Sequence, residues 1–395
     1  MITAAERKTL NPRLPILCFS HLRWHFVYQR PQHLLTRCQK QTDVFFFEEP
    51  VLEERLTPSL LVRRQPNGVQ VVTPVLPLGT TAPEAIAAQR LLLKSFLRER
   101  SIGNFIVWYY TPMALEFTSD LKPEITIYDC MDELSAFQGA HPQLVERERE
   151  LFRCADVVFV GGRSLYQAKR QQHANLHCFP SSIDRSHFVA ARRSKEDPAD
   201  QRLIPHPRIG FFGVLDERLD LELLAAVADR HPEWSLVLLG PLAKISAEQL
   251  PRAANIHYLG QKGYAELPSY LSGWDVAMLP FAINASTRFI SPTKTPEYLA
   301  AGKRVVSTPI RDVIEPYGRL GLVSIAADPA EFCAAVENVL VGTEKGWLEN
   351  VDQLLSHTSW DKTFAAMWGE ITRLLQTSTQ RVLRPVDRLK ERASV

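Results

Sequence analysis

The 395-residue sequence lacks the patterns that mark many chemistries. Its six cysteines, at 18, 38, 130, 154, 178 and 333, form no Cys-x-x-Cys pair and no metal-ligand spacing. That argues against a zinc or iron–sulfur framework and for free, buried thiols in a reducing cytoplasm. No window of about 18 apolar residues exists, and the opening MITAAERKTLNPR has no apolar stretch of a signal peptide. The expectation is a soluble, cytoplasmic protein, with peripheral contact to the inner membrane surface left open but unsupported by the sequence. A net charge of +2 gives no reason to expect nucleic acid as a partner. The dinucleotide fingerprint and the Walker loop are missing, so hydride transfer and ATP hydrolysis lose support. So are the Gly-x-Ser-x-Gly elbow and the His-Glu-x-x-His helix.

What is present is an alternation. Short apolar runs at 15–20 (PILCFS), 43–48, 69–73, 104–110, 125–129, 156–160 and 176–180 are separated by amphipathic stretches such as 84–99 and 142–154. Such strands, apolar almost throughout and alternating with helices, predict parallel sheets covered on both faces. The pattern lapses at 190–207 (AARRSKEDPADQRLIPHP), which reads as an exposed linker. It restarts at 208–213, 235–240, 255–260, 275–280, 304–308 and 322–326. Two α/β halves follow, in a chain too long for one ordinary core. The domains expected are 1–190, a linker over 191–207, and 208–358. A docked helix over 359–377, with Ser359 as N-cap, and a polar tail over 378–395 complete the chain.

Ligands in such folds bind beyond the carboxyl ends of the strands. The loop after the first strand, SHLRWHFVYQRPQHLL, holds Trp24, able to stack on a sugar or to plug a domain interface, and Arg30, able to bind phosphate or cap a carbonyl. After ITIYD come Asp129, Asp132 and Glu133, candidates for a metal, for a base or for sugar hydroxyls. Without a histidine or a third fixed ligand, a sugar or acceptor role for Asp132 is favoured over a metal. In the second half, Gly213 follows a strand and would admit a diphosphate to the backbone, with Arg218 to neutralise it. Gly240 and Pro241 stand at a further strand end.

Residues 289–308, FISPTKTPEYLAAGKRVVST, predict a loop, a helix from about Thr293 to Ala301, a Gly302 C-cap and a buried strand. Ser291 suits the N-cap and Pro292 the first helical position. The helix mouth with Thr293 and Lys294 suits phosphate, and Glu297 can accept two ribose hydroxyls.

Taken together, FGVLDERLDLELL, NIHYLGQKGYAELPSYLSGWDVAMLPF and SPTKTPEYLAAGKRVVST resemble the GT-B glycosyltransferases, in particular the family 4-like group. The similarity is strongest over roughly 205–375. WHFVYQRPQHLL and SWDKT are similar to it too. The resemblance implies two Rossmann-like domains facing a cleft, with a terminal helix crossing back to the first. It implies a retaining, metal-independent transfer of sugar from a nucleotide-diphosphate donor, UDP- or GDP-linked, to a glycan or lipid-linked acceptor in polysaccharide biosynthesis, without a further cofactor. Glu297 then holds the ribose, Gly213 and Arg218 meet the diphosphate, and Ser291 to Lys294 face donor sugar and phosphate. Asp132, Arg218 and Lys294 are the candidates for catalysis; Gly240 joins the donor site, and Trp24, Arg30 and Asp129 the cleft. Two departures stand out: Phe289 occupies the place of the family's second Glu, and no Lys follows Arg218. Lys294 or Arg288 can supply that charge. A sugar-nucleotide epimerase of similar fold and a non-catalytic binding or scaffold subunit are the alternative readings.

Overall fold

The computed structural model describes residues 13–194, 196–342 and 345–383. The apolar runs form two sheets among these residues. The first contains β1 (Ile16–Phe19), β2 (Val44–Phe47), β3 (Val51–Glu53), β4 (Ser59–Arg64), β5 (Gln70–Pro77), β6 (Ile106–Tyr109), β7 (Ile125–Cys130), β8 (Val157–Val160) and β9 (Leu176–Cys178). Its order is β3-β5-β2-β1-β6-β7-β8-β9, parallel throughout, with β4 antiparallel on β5. The second contains β10 (Arg208–Phe212), β11 (Ser235–Leu239), β12 (Ile256–Tyr258), β13 (Val276–Leu279), β14 (Arg304–Ser307) and β15 (Val323–Ile325). All its pairings are parallel, in the order β12-β11-β10-β13-β14-β15.

The strand order decides where a ligand can sit. β1 pairs with β2 on one side and β6 on the other, and β10 likewise lies between β11 and β13. Each is the strand from which the chain winds first one way and then the other, so the loops after β1 and β10 stand at topological switch points. Those two loops, 20–29 and 213–220, face each other.

Burial follows the pattern. Residues such as Ile16, Cys18 and Phe46 fill one face of the first sheet, and Leu17, Phe45 and Val107 the other, while the second sheet has its own core. The terminal helix Trp360–Leu383 begins with the Lys362 amide donating to Ser359 Oγ at 3.2 Å. It buries Trp360, Met367 and Ile371 in the first domain's core. The expected tail starts inside this helix, and its remainder from 384 lies outside the described residues, as do residues 1–12.

Several local expectations are corrected. β3 and β4 were not anticipated: both are edge elements with no fully buried position, short or ending in charged residues, so their apolar runs stand out less than those of the central strands. The 191–207 segment is docked rather than free. Gln201 is buried, donates to the Tyr270 carbonyl at 3.0 Å and accepts from Trp274 Nε1 at 2.9 Å, while Asp197 pairs with Arg208 at 2.6 Å. The helix in the 289–308 stretch is Lys294–Ala300, preceded by Thr293, so Ser291 is not its N-cap and Pro292 lies before its first turn. Its proline is Pro296, tolerated because the first turn needs no donor there.

The two domains are clasped by backbone-level contacts. Asp312, buried in the second domain, accepts from the amides of Arg163 and Ser164 at 2.7 and 2.9 Å, capping the helix Arg163–Lys169 of the first. A Cβ on Gly162 would stand 2.7 Å from that carboxylate, so glycine permits the approach.

Candidate active site

The facing loops enclose a cavity of about 330 Å³, of the size that ligand sites occupy. From the first domain it is lined by Trp24 to Gln29, and from the second by Gly213, Arg218, Gly240, Pro241, residues 261–264, Thr293, Lys294 and Glu297.

Two glycines build the floor. Gly213 has φ +148° and Gly240 φ +146°; a Cβ on Gly240 would lie 1.7 Å from the Gly213 carbonyl oxygen. The loops after β10 and β11 therefore close on each other backbone to backbone. A Cβ on Gly213 would lie 2.2 Å from Lys294 Cε, so the lysine stem runs directly over this glycine. Its ammonium lies 5.7 Å from the centroid of Phe211.

Arg218 is fixed from below. Its Nε and Nη2 meet the Asp216 carboxylate at 2.6–3.1 Å, and its guanidinium lies 5.5 Å from the ring of Phe137, contributed by the first domain. Glu297 is 5% exposed at the cavity wall. Burial pushes its carboxyl up to about 8, against the pull of Lys294. Burial pushes Lys294 down to about 8, aided by the positive Arg218. A buried acid and two cations thus converge around an empty volume, an arrangement that suits an anionic ligand bearing hydroxyls.

The three acids after β7 separate. Asp129 is fully buried and pairs with Arg30, whose Nε and Nη2 approach it at 2.8–3.1 Å, while Arg30 Nη1 donates to the Phe179 carbonyl at 2.8 Å. The two satisfy each other, so neither is open to phosphate or sugar. Glu133 pairs with the buried Lys169 at 2.7 Å, which also holds Glu148 at 2.6 Å. Asp132 alone faces the cations of the cleft. Burial pushes it up to about 6, Asp216 adds to this, and Arg218 and Lys294 oppose it.

Of the other expected site residues, Gly213, Gly240, Arg218, Thr293, Lys294 and Glu297 come together around this cavity. Ser291 and Pro292 line a different cavity of about 270 Å³ on the far side of the interface, and the Ser291 carbonyl accepts from Ser181 Oγ at 2.5 Å. The loop turns between Pro292 and Thr293, which separates the two pairs. Trp24 touches the cavity but packs its ring edge against Phe46 at 5.1 Å and is mostly core. Phe289 packs into the first domain's core beside Arg288, 5.3 Å from its ring, and so serves the interface. Sequence reasoning missed Tyr28, Gln261, Tyr264 and Phe137. The signal for Tyr264 was its place just after a strand and Gly260, before a Leu-Pro helix start.

A family model, Glycosyl transferases group 1, matches residues 206–341. The putative teichuronic acid biosynthesis glycosyltransferase TuaH of Bacillus subtilis (strain 168) is 25% identical over 255 residues, 59% of this chain. That match spans 63% of the relative's own length. Among solved structures, sucrose-phosphate synthase from Thermosynechococcus elongatus has a TM-score of 0.68 at 15% identity, covering 93% of this chain and 100% of the other. The structure of trehalose-6-phosphate from E. coli bound with UDP-2-fluoro glucose has a TM-score of 0.66 at 12% identity, covering 92% of this chain and 99% of the other. The catalytic domain of starch synthase IV from Arabidopsis thaliana, bound to ADP and acarbose, scores 0.63 at 10%, covering 93% and 100%. These structural likenesses speak to the fold. Residues 206–341 thus match the glycosyl transferases group 1 model, within a chain of GT-B architecture.

Proposed function

We propose that this protein transfers a sugar from a nucleotide-diphosphate donor, UDP- or GDP-linked, to a hydroxyl of a glycan or lipid-linked acceptor, retaining configuration and using no metal. The observation that carries this reading is the shared cavity, where Arg218, Lys294 and Glu297 meet over Gly213 and Gly240. The glycines leave room for a diphosphate against the backbone. Arg218 and Lys294 stand where negative charge develops as the diphosphate leaves, and fixed cations in a partly dry site stabilise that charge strongly. Glu297 accepts the ribose hydroxyls. Asp132, on the first domain and opposed by the charges of Arg218 and Lys294, serves the acceptor side. The solved relatives bound to UDP-2-fluoro glucose and to ADP support a nucleotide at the equivalent place, and the name of the Bacillus relative makes a polysaccharide acceptor the first to try.

The test is a thermal-shift panel of UDP, GDP, ADP, CMP and TDP on wild type and Glu297→Ala. At about 100 times Kd, binding adds roughly 2.7 kcal/mol of stability. One nucleotide should stabilise the wild type and leave the variant unmoved. A panel in which none does, or in which both proteins respond alike, removes the donor-site reading.

A further inference from the structure

One residue of the cavity wall has no role in the reading above: Tyr264, whose hydroxyl is buried behind that wall. The residue opens the turn Tyr264–Glu266 after β12, and its ring is held by residues of two other segments. It stacks on Tyr28 of the first domain at 4.5 Å and on His187 at 4.5 Å, with Phe188 edge-on at 5.7 Å. Its carbonyl accepts from His187 Nε2 at 2.9 Å. The hydroxyl at the end of this fixed ring is buried and has no hydrogen-bond partner among the described residues. Buried hydroxyls are nearly always paired, and one carried by a cavity-lining residue can be completed by a ligand that fills the cavity. Burial, followed by the nearby Glu297 carboxylate, raises its ionisation far above neutrality. The group is therefore a phenol with a proton to give, beside a carboxylate that can only accept when ionised.

Resting on the donor-site reading, we propose that Tyr264 is a specificity-determining residue that donates a hydrogen bond to one of the two ribose hydroxyls whose protons Glu297 accepts. The pair then reads a vicinal diol. An ionised carboxylate offers no donor to either hydroxyl, and Tyr264 supplies one. The stack on Tyr28 and His187 holds the phenol in place before the ligand arrives, so no side-chain freedom is lost on binding.

The experiment is calorimetric titration of wild type and Tyr264→Phe with UDP, GDP and ADP, then with the 2′-deoxy and 3′-deoxy analogues of whichever binds wild type best. Phenylalanine preserves the ring stack, and a melting temperature equal to or above wild type shows that the fold is kept. The variant should lose about 5- to 30-fold in affinity for the ribonucleotide, the loss of one hydrogen bond in a buried site. Its preference for the ribonucleotide over one of the two deoxy analogues should shrink by the same factor. Unchanged affinity and unchanged discrimination overturn this inference while leaving the donor site standing. Failure of every nucleotide to bind wild type overturns both.

Discussion

Glu297 should make the unliganded protein less stable than it could be, and that is measurable. The carboxyl is buried, and burial pushes it from its ordinary 4.5 up to about 8. A folded-state value above the unfolded one means that the folded form keeps a proton the unfolded form has released. Stability is therefore lost as pH rises from 4.5 towards 8, at about 1.4 kcal/mol per pH unit. By pH 7 the sum is about 3 kcal/mol. Glu297→Gln removes this term but also removes the attraction that Lys294 feels, which takes back part of the gain. The net expectation at pH 7 is about 1–2 kcal/mol of added stability, a rise of about 2–6 °C in Tm for domains of this size. Scanning calorimetry of both proteins between pH 4.5 and 8, without nucleotide, reads it directly. The difference should be near zero at pH 4.5 and grow with pH, while nucleotide stabilisation disappears in the variant. A glutamine variant less stable than wild type at pH 7, or a difference that ignores pH, would refute the claim that burial dominates this carboxyl.

Other consequences follow from contacts already described. Gly213→Ala places a Cβ 2.2 Å from Lys294 Cε at a left-handed φ of +148°. It should destabilise by about 1–3 kcal/mol and weaken nucleotide binding at least about 10-fold. Melting and titration calorimetry check both, and binding at wild-type strength would show that Lys294 does not act from its seat over the glycine. Asp312→Ala removes two cross-domain hydrogen bonds and should destabilise by about 1–2 kcal/mol. It should also enlarge the radius of gyration in solution scattering; an unchanged radius would mean that the clasp is dispensable for closure. Asp132, pushed by burial up to about 6, should give sugar transfer a fall on the acid side of about pH 6. Asp132→Asn should abolish that limb as well as slowing transfer, and an acid limb retained in the variant assigns it to another group.

The sequence revealed what local pattern can carry. The two families of parallel strands were legible because each is a short, almost wholly apolar run between helices, and Gly213 and Glu297 because each stands at a fixed offset from such a run. Pairings across the chain were not legible. Arg30 and Asp129 are 99 residues apart, and nothing local says that each consumes the other's charge. Glu133 finds Lys169 from another element, and Tyr28 finds Tyr264 from another domain. The turn at Pro292–Thr293 defeated the local reading in a different way. A Ser-Pro pair looks like a helix start, yet here Thr293 takes the N-cap place and the helix begins at Lys294.

The terminal helix has a consequence for how the protein is made. Trp360, Met367 and Ile371 complete a core whose other members, Ile16 to Phe159, are translated first. At about 5–20 residues per second, the roughly 200 residues in between take about 10–40 s to emerge from the ribosome. Through that interval the first sheet stands with one apolar face only partly covered, by Trp24 and the helix Arg30–Cys38, a window in which chaperones or aggregation can act. The second domain, with its own closed core, faces no such wait. A nascent chain stalled before residue 360 should therefore present a folded second domain beside an incomplete first one. Synthesis order and folding order would then run in opposite directions along this chain.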